Sequence, residues 1–326
     1  MSEHITVLLH EAVEALAIKP DGIYVDGTYG RGGHSSLILP RLSDRGRLIA
    51  IDRDLAAVEA GRKIKSRKEA LGESNSSFCV KHGNFSQMQQ ILQEMGVTRV
   101  DGILLDLGMS SPQLDAVRGF SFRVEGPLDM RMDVSQGETA AQWLETVSET
   151  DLERVIKEYG EERYARSIAR AIVVARARQP IVTTLQLAEI VTAVVRSRER
   201  KREGKQSPAT RTFQAIRIFI NQELEELSLA LRQGVDLLNP KGRLVVISFH
   251  SLEDRIVKRF VRAAAKLDCV PRGIPLREVE MQQLNQQKLK VIGKAIRPKC
   301  EEVAVNMRAR SAVMRVAERV SYDTNG

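Results

Sequence analysis

A glycine-rich segment from Asp26 to His34 carries residue types that bind ligands through both side chains and backbone. It reads Asp-Gly-Thr-Tyr-Gly-Arg-Gly-Gly-His and follows a short β-forming run, Ile23 to Val25. Glycines allow the backbone to approach a ligand closely, and amide groups at the start of a following helix can hold an anion. A second β-forming run ends at Asp52, where a carboxylate can accept hydrogen bonds from a ribose diol. The strand, glycine turn, helix, strand and acid together predict a bound nucleoside cofactor.

The residues around this turn favour one class of cofactor over another. A dinucleotide site prefers Gly-x-Gly-x-x-Gly, and the pattern that starts at Gly30 fails at its last position, where Ser35 stands. Asp26 would oppose a pyrophosphate, whereas it suits the ammonium group of S-adenosylmethionine. Asp106, at the tip of another apolar run, places a further acid beside the expected position of the sulfonium. We therefore predict S-adenosylmethionine as the cofactor, with NAD as the weaker alternative.

The chain around these residues alternates between β-forming runs and helix-length segments, which indicates a parallel sheet with crossover helices. From about residue 139 to 195 the periodicity is helical throughout, so a helical region interrupts the sheet. The last two β-forming runs fit an antiparallel hairpin at the edge of the sheet, as methyltransferases of this type have. The β-forming runs lie at residues 23–25, 48–51, 78–80, 100–107, 243–249, 289–292 and 311–317.

Composition restricts the class of protein. The chain has 326 residues, of which 43% are hydrophobic, enough for a packed core. Its net charge of +8 indicates an anionic partner, and nucleic acid is the first choice. The three cysteines, Cys79, Cys269 and Cys300, form no Cys-x-x-Cys pair, so we predict neither a disulfide framework nor a metal site. We find no signal pattern and no apolar stretch of membrane-spanning length, and therefore predict a cytoplasmic protein with no membrane partner.

These patterns predict an α/β protein whose sheet is Rossmann-like, of the S-adenosylmethionine methyltransferase type, with an inserted all-helical domain. We predict that residues 1–112 and 213–326 form the sheet domain. Residues 113–212 would form the helical insertion, to which we assign RNA recognition.

Four motifs carry a resemblance to a known family. They are Asp26–Ser35 (DGTYGRGGHS), Asp106–Gln113 (DLGMSSPQ), Gly126–Met132 (GPLDMRM) and Ser248–Arg255 (SFHSLEDR). Together they resemble the bacterial small-subunit ribosomal RNA methyltransferase H family, also called the MraW family, over essentially the whole chain. The resemblance implies S-adenosylmethionine as cofactor and the small ribosomal subunit, through its 16S rRNA, as partner. It also implies methyl transfer to the N4 amine of a decoding-centre cytidine, at RNA position 1402.

The resemblance further implies which residues contact the cofactor. Three of them lie in the glycine turn, one lies at the ribose, one beside the adenine and two near the methionine end. In that order they are Gly32, Gly33 and His34, then Asp52, then Phe85, and then Asp106 and Gln113.

The expected chemistry sets requirements on further side chains. The exocyclic amine of cytosine is a weak nucleophile, because its lone pair is delocalised into the ring. The enzyme must hold the amine in line with the S–CH3 bond and accept hydrogen bonds from its protons. No strong base is needed before transfer, since the proton becomes acidic only afterwards. The loop Ser110–Gln113 matches the Asn/Asp/Ser-Pro-Pro-aromatic loop of DNA amino-methyltransferases only in part. Asp106, Ser110 and His250 are the candidate catalytic residues.

Other features allow two interpretations in the sequence. Phe120 and Phe122 could stack on a flipped base or belong to the core. The basic run Arg196–Lys205 could be a solvated loop or an RNA contact, and Arg118 and Arg131 could face phosphates. For the whole protein, the alternatives to an rRNA enzyme are a DNA or small-molecule amino-methyltransferase and a non-catalytic RNA-binding assembly factor. The sequence leaves a homodimer open.

Overall fold

A computed structural model of the chain describes residues 5–70, 78–109, 115–198, 207–266 and 287–321. These residues fall into two compact units. One unit lies within the ranges 1–108 and 224–326, and the other within 109–223. No helix in the described ranges is long and apolar enough to cross a membrane.

The first unit is an α/β unit built on a seven-stranded sheet. Its strands are β1 (Ile23–Asp26), β2 (Arg47–Asp52), β3 (Phe78–His82), β4 (Val100–Asp106), β5 (Leu238–Ser248), β6 (Leu289–Ile296) and β7 (Val313–Arg319). Its helices are α1 (Leu9–Ala15), α2 (Gly33–Ile38), α3 (Leu55–Ala70), α4 (Met88–Glu94), α10 (Glu223–Leu237), α11 (Ser251–Ala264) and α12 (Cys300–Val305).

The strand order of the sheet is β3-β2-β1-β4-β5-β7-β6. Strands β1 to β5 pair in parallel, and β7 pairs antiparallel with both β5 and β6. The predicted Rossmann-like α/β fold with an antiparallel pair at its edge is therefore confirmed. Because β2 and β4 leave β1 on opposite sides, the strand order reverses at β1, and such a switch point opens a crevice at the carboxyl ends of the strands.

The apolar run in β4 explains why this strand lies in the middle of the sheet. Ile103 and Leu105 pack into the core on one face, and Leu104 packs into the core on the other. All three side chains are fully buried. A parallel strand covered on both faces has a nearly continuous apolar sequence rather than an alternating one. The sequence of β4 therefore already indicates its central position.

The second unit is helical and has its own core. Trp143, Ile168 and Phe213 lie in this core together with Phe120, and Phe122 packs edge-on against Phe213 with ring centroids 5.4 Å apart. Of the two interpretations of Phe120 and Phe122, the structure supports the core. The helices are α5 (Ala140–Thr146), α6 (Glu149–Gly160), α7 (Ala165–Arg176), α8 (Thr184–Arg198) and α9 (Thr210–Ile220).

The boundaries of the helical unit differ from the predicted 113–212. The unit spans 109–223, because α9 packs Phe213 and Ile216 into the helical core instead of returning to the sheet. The apolar periodicity of residues 212–231 predicts one long amphipathic helix, whereas the backbone breaks at Gln222, whose φ is 49°. The apolar periodicity continues across this break, so the sequence pattern did not reveal it.

A loop in the helical unit carries the motif Gly126–Met132 and holds it through hydrogen bonds within the unit. The side chain of Asn221 donates to the Met130 carbonyl and accepts from the Met132 N–H, each at 2.8 Å. Arg131 donates to Asp129 from Nε at 2.8 Å and from Nη2 at 2.9 Å. Arg118 donates to the Met132 carbonyl at 2.9 Å. The sequence allowed Arg118 and Arg131 to face phosphates. In the structure both side chains donate hydrogen bonds to this loop.

Candidate functional site

The glycine-rich segment forms a turn from β1 to α2 at the carboxyl edge of the sheet. The Gly27 N–H donates to the Leu104 carbonyl of β4 at 2.9 Å, and the Tyr29 N–H donates to the Ile51 carbonyl of β2 at 3.0 Å. The turn is therefore bound to the strands on both sides of β1. This arrangement places its backbone over the switch point of the sheet.

Two glycines in the turn, Gly32 and Gly33, stand where a larger residue would clash. Gly32 has a φ of +74°, and a Cβ there would lie 2.7 Å from the Tyr29 hydroxyl. A Cβ on Gly33 would lie 1.9 Å from Thr6 Oγ1. Both positions were predicted as cofactor contacts. The sequence did not single out Thr6, which lies far from the turn along the chain.

Asp26 at the end of β1 is buried, and both of its carboxylate oxygens accept hydrogen bonds from the turn. Ser35 Oγ donates to Oδ2 at 2.7 Å, and the Thr28 N–H donates to Oδ1 at 3.2 Å. Burial, together with the charge of Asp52, raises the pKa of Asp26 to about 6 against the effect of these bonds. The sequence interpretation assigned Asp26 to the ammonium group of the cofactor. In the structure its carboxylate accepts hydrogen bonds from Thr28 and Ser35 and so stabilises the turn.

Asp52 at the end of β2 also accepts two backbone hydrogen bonds. The Gly30 N–H donates to Oδ2 at 2.6 Å and the Asp54 N–H to Oδ1 at 2.8 Å. Burial raises the pKa of Asp52 despite these bonds. Phe85 lies near the start of the same turn, where its Cβ would be 3.2 Å from a Cβ on Gly27. The structure thus brings the predicted ribose and adenine contacts close to one turn.

Asp106 ends β4 beside the turn. Its N–H donates to Thr28 Oγ1 at 2.7 Å, and its carboxylate accepts from the Gly108 N–H. Oδ1 is buried and has no hydrogen-bond partner among the residues that the structure describes. Burial, followed by the charges of Asp26 and Glu253, raises the pKa of Asp106 to about 7. His34 Nδ1 lies 3.8 Å from Asp106 Oδ2, which is longer than a hydrogen bond.

His250 lies where β5 leads into α11, beside the end of β4. Glu253 accepts the N–H groups of Phe249 at 2.7 Å and of His250 at 3.2 Å through Oε2. Its other oxygen lies 3.0 Å from His250 Nε2. Glu253 therefore accepts the backbone N–H groups at the start of α11 and lies within ion-pair distance of the imidazole, a role that the sequence assigned to no residue. A catalytic role for His250 stays a prediction.

Two predicted site residues, Ser110 and Gln113, fall outside the described ranges, so their predicted roles stay predictions. The structure adds Thr28 and Ser35 to the site, as partners of Asp106 and Asp26. Both residues belong to the glycine-rich motif, and their hydroxyl groups were the only feature in the sequence that could have indicated this role.

The chemistry of this edge fits the predicted cofactor. Asp26, Asp52 and Asp106 end three adjacent strands, and the pKa of each is raised. Among the described residues, the positive charge of Arg53 lowers the pKa of Asp52, but burial outweighs it. A cluster of negative charge repels a pyrophosphate and attracts a cation. S-adenosylmethionine is a cation with a ribose diol, so the donor and acceptor set at this edge suits it.

Comparisons with known proteins agree with the sequence motifs. A family model described as the MraW methylase family matches residues 1–320. A protein of Nitrosospira multiformis named Ribosomal RNA small subunit methyltransferase H is 61% identical over 320 residues, which are 98% of each chain. A protein of the same name from Nitrosomonas europaea is 62% identical over 318 residues, 97% of each chain. The solved structure of an rRNA methylase from Streptococcus thermophilus aligns with a TM-score of 0.41 and 10% identity over 98% of this chain and all of that one, and adds no argument to the sequence match.

Proposed function

Because the chain belongs to the MraW methylase family, we propose that it is an S-adenosylmethionine-dependent methyltransferase of small-subunit ribosomal RNA that acts on the N4 amine of a cytidine. The observation that carries the proposal is the acidic edge formed by Asp26, Asp52 and Asp106 around the glycine turn. The names of the relatives supply the class of RNA, and the resemblance of the motifs supplies the decoding-centre cytidine, the base and the atom. A cytoplasmic location follows from this substrate.

The residues around the turn would hold the cofactor. When bound, S-adenosylmethionine supplies a methyl group from its sulfonium sulfur, and the rest of the cofactor leaves as a neutral thioether. Asp52 would accept hydrogen bonds from the ribose hydroxyls, and Phe85 would pack against the adenine. The remaining proposed contacts are Gly32, Gly33 and His34 in the turn, Asp106 at the end of β4, and Gln113.

Asp106 is the side chain best suited to the target amine. Its buried Oδ1 has no partner among the described residues, so it retains lone pairs that can accept a hydrogen bond from an N–H donor. Accepting that hydrogen bond directs the nitrogen lone pair toward the methyl group and stabilises the positive charge that develops on nitrogen. A pKa of about 7 also lets Asp106 take the proton that becomes acidic after transfer. Ser110 and His250 are the alternative acceptors.

Methyl transfer from labelled S-adenosylmethionine tests the proposal. Purified protein is incubated with undermodified small ribosomal subunits, with protein-free 16S rRNA, with DNA and with free cytidine. We expect label in ribosomal RNA, and mass analysis of nuclease digests should place it on cytidine N4. Label in DNA alone, or on another atom of the RNA, would contradict the proposal.

The non-catalytic alternative makes a different prediction in cells. Mass mapping of 16S rRNA from cells lacking the protein should reveal one missing methyl group, which the wild-type gene restores. An Asp106→Ala gene should produce folded protein without restoring the methyl group. Full rescue of growth and ribosome assembly by Asp106→Ala would instead support an assembly factor.

A further inference from the structure

A groove of about 260 Å³ lies between α11 and the last two strands of the sheet, away from the glycine turn. All of its lining residues belong to the α/β unit. Its lining combines valines from the helix and from both strands with positively charged side chains. The residues used below are Lys258, Val261, Arg262, Val291, Lys294 and Arg315.

The groove carries a net positive charge. Lys258 and Arg262 lie four residues apart on α11 and therefore on one face of the helix. Lys294 contributes a third cation from β6. A fourth, Arg315, is neutralised by Asp254, with Nε 2.6 Å from Oδ1 and Nη2 3.0 Å from Oδ2. No acidic side chain lines the groove in the described part of the chain. Like charges at i and i+4 destabilise a helix, so this pair suits an anion that binds from outside.

The pairing register relates the groove to the proposed catalytic acid. Asp106 of β4 pairs with Ile247 of β5, Ile247 pairs with Met314 of β7, and Met314 pairs with Ile296 of β6. Asp106 and Ile296 thus lie in one row across the sheet, three strand spacings or roughly 15 Å apart. The groove begins next to Ile296, at the same edge of the sheet as Asp106.

The features of edge strand β6 disfavour two other occupants of the groove, a second copy of the chain and an extended peptide. β6 has β7 as its only neighbour in the described sheet, and Val291 is 48% exposed on it. However, Lys290 and Lys294 lie on this strand, and its pairing is irregular around Gly293, whose φ is +65°. Lysines and an irregular register are features that discourage another strand from adding to an edge. A second copy of the chain, or an extended peptide, therefore fits this surface less well than a flexible polyanion does.

We propose that this groove binds phosphates of the single-stranded RNA that adjoins the target cytidine. This inference rests on the proposed function, and it adds a binding surface for the same substrate. Lys258, Arg262 and Lys294 contact successive phosphates, and the valine floor packs against a ribose or a base. The surface holds the RNA strand while the target base is out of its stack and in the catalytic site.

A single-residue pair tests the groove with little risk to folding. Val291→Glu places a negative charge among the three cations at an exposed position, and Val291→Gln is its uncharged match. We expect Val291→Glu to raise the KM for RNA and to weaken binding of a single-stranded oligonucleotide carrying the target sequence, with the KM for S-adenosylmethionine unchanged. Val291→Gln removes the same valine without adding a charge and should therefore raise the KM for RNA much less than Val291→Glu does. Equal RNA binding by the two variants would overturn the proposal.

Removal of the cations gives a quantitative test. The triple variant Lys258→Gln, Arg262→Gln, Lys294→Gln should reduce the slope of log affinity against log salt by about 2, or about 0.7 for each phosphate contact to a single strand. The corresponding loss of affinity is roughly 50-fold near 0.15 M salt. The matched control Arg41→Gln, Arg62→Gln, Lys63→Gln removes three exposed cations near the opposite edge of the sheet and should leave the slope unchanged. The conservative triple Lys258→Arg, Arg262→Lys, Lys294→Arg should retain wild-type binding.

Each other result has a definite meaning. If the groove triple keeps the wild-type salt slope but melts at a lower temperature, the cations bind another part of the chain and the proposal is wrong. If Val291→Glu changes the oligomeric state without changing RNA binding, the groove is a contact between copies. If the wild type methylates ribosomal RNA but both groove variants bind RNA normally, the groove proposal fails while the proposed function stands. If the wild type neither methylates nor binds ribosomal RNA, both fail.

Discussion

Asp106 in the α/β unit and Asp129 in the helical unit are both carboxylates with restricted access to water, yet their ionisation differs in direction. The side chains are equally exposed, each at 19%. Burial raises the pKa of Asp106 to about 7, and the neighbouring charges of Asp26 and Glu253 add to this. Burial also raises the pKa of Asp129, but two hydrogen bonds and the positive charge of Arg131 outweigh it, and the pKa lies below its usual value.

The two acids differ in whether the protein itself supplies a positively charged partner. For Asp129 the chain supplies Arg131 two residues away, so the ion pair is complete in the folded protein. For Asp106 the described residues supply only acids and backbone N–H groups, apart from His34 at 3.8 Å. A buried charge without a partner lowers stability, and a carboxylate whose pKa is strongly raised in this way is a candidate for a functional site. This difference supports a structural role for Asp129 and the proposed catalytic role for Asp106.

The largest expected effect is on catalysis. Asp106→Ala removes the proposed acceptor of the target amine and should lower kcat about 100- to 10,000-fold, the usual range for such groups. Asp129→Ala should leave kcat of the folded protein within the same order of magnitude, because it removes a loop contact. Single-turnover methyl transfer on ribosomal RNA measures both. Comparable losses of kcat in the two variants would break the distinction between the regions.

The second expected effect is on stability, and its sign should differ between the regions. The pKa of Asp106 is raised in the folded state, so its contribution to stability is present below about pH 4 and is lost as the pH rises through about 7. Asp106→Asn should therefore increase the free energy of unfolding near pH 8, on the order of 1 to 4 kcal/mol. Asp129→Asn should decrease it by roughly 1.5 to 3 kcal/mol, since Arg131 loses a charged hydrogen-bond partner.

Urea unfolding of both variants at about pH 8 and about pH 4 tests these signs. At about pH 4 the stabilisation by Asp106→Asn should largely disappear, because the wild-type carboxyl is then protonated in the folded state and only partly ionised in the unfolded state. A destabilised Asp106→Asn protein at about pH 8 would mean that Asp106 has an ionic partner in the folded protein.

The smallest expected effect is on the pH profile. If methyl transfer requires ionised Asp106, its rate under single-turnover conditions should rise about tenfold between pH 6 and pH 8 and then level off, because the pKa is about 7. In Asp106→Asn the residual rate should lack this rise. Asp129→Asn should keep the wild-type profile, since the pKa of Asp129 lies below this range. A rise that persists unchanged in Asp106→Asn would assign the titration to another group, such as His250.

Local sequence patterns were enough to predict the strands, the turn and the acids that form this site. The β-forming runs, the glycine turn and the acids that end the strands follow from residue types at short spacing, and the structure places them as predicted. The continuous apolar run of β4 indicated its central position for the same reason. The same residues predicted the cofactor, and the family motifs added the class of RNA.

Distances between remote residues came only with the folded chain. Gly33 lies against Thr6, and the Asp106 N–H donates to Thr28, although each pair is far apart in the sequence. The backbone breaks at Gln222, although the sequence periodicity continues across it. The sequence assigned Asp26, Asp52 and Asp106 different roles from their places in the chain, but it did not show which acids have a cation beside them. Whether an acid is compensated depends on burial and on charges brought close by other strands, and these are long-range properties of packing. Composition and spacing therefore predicted a cofactor site, and the tertiary structure distinguished Asp26, whose two oxygens hold the turn, from Asp106, whose Oδ1 has no hydrogen-bond partner among the described residues.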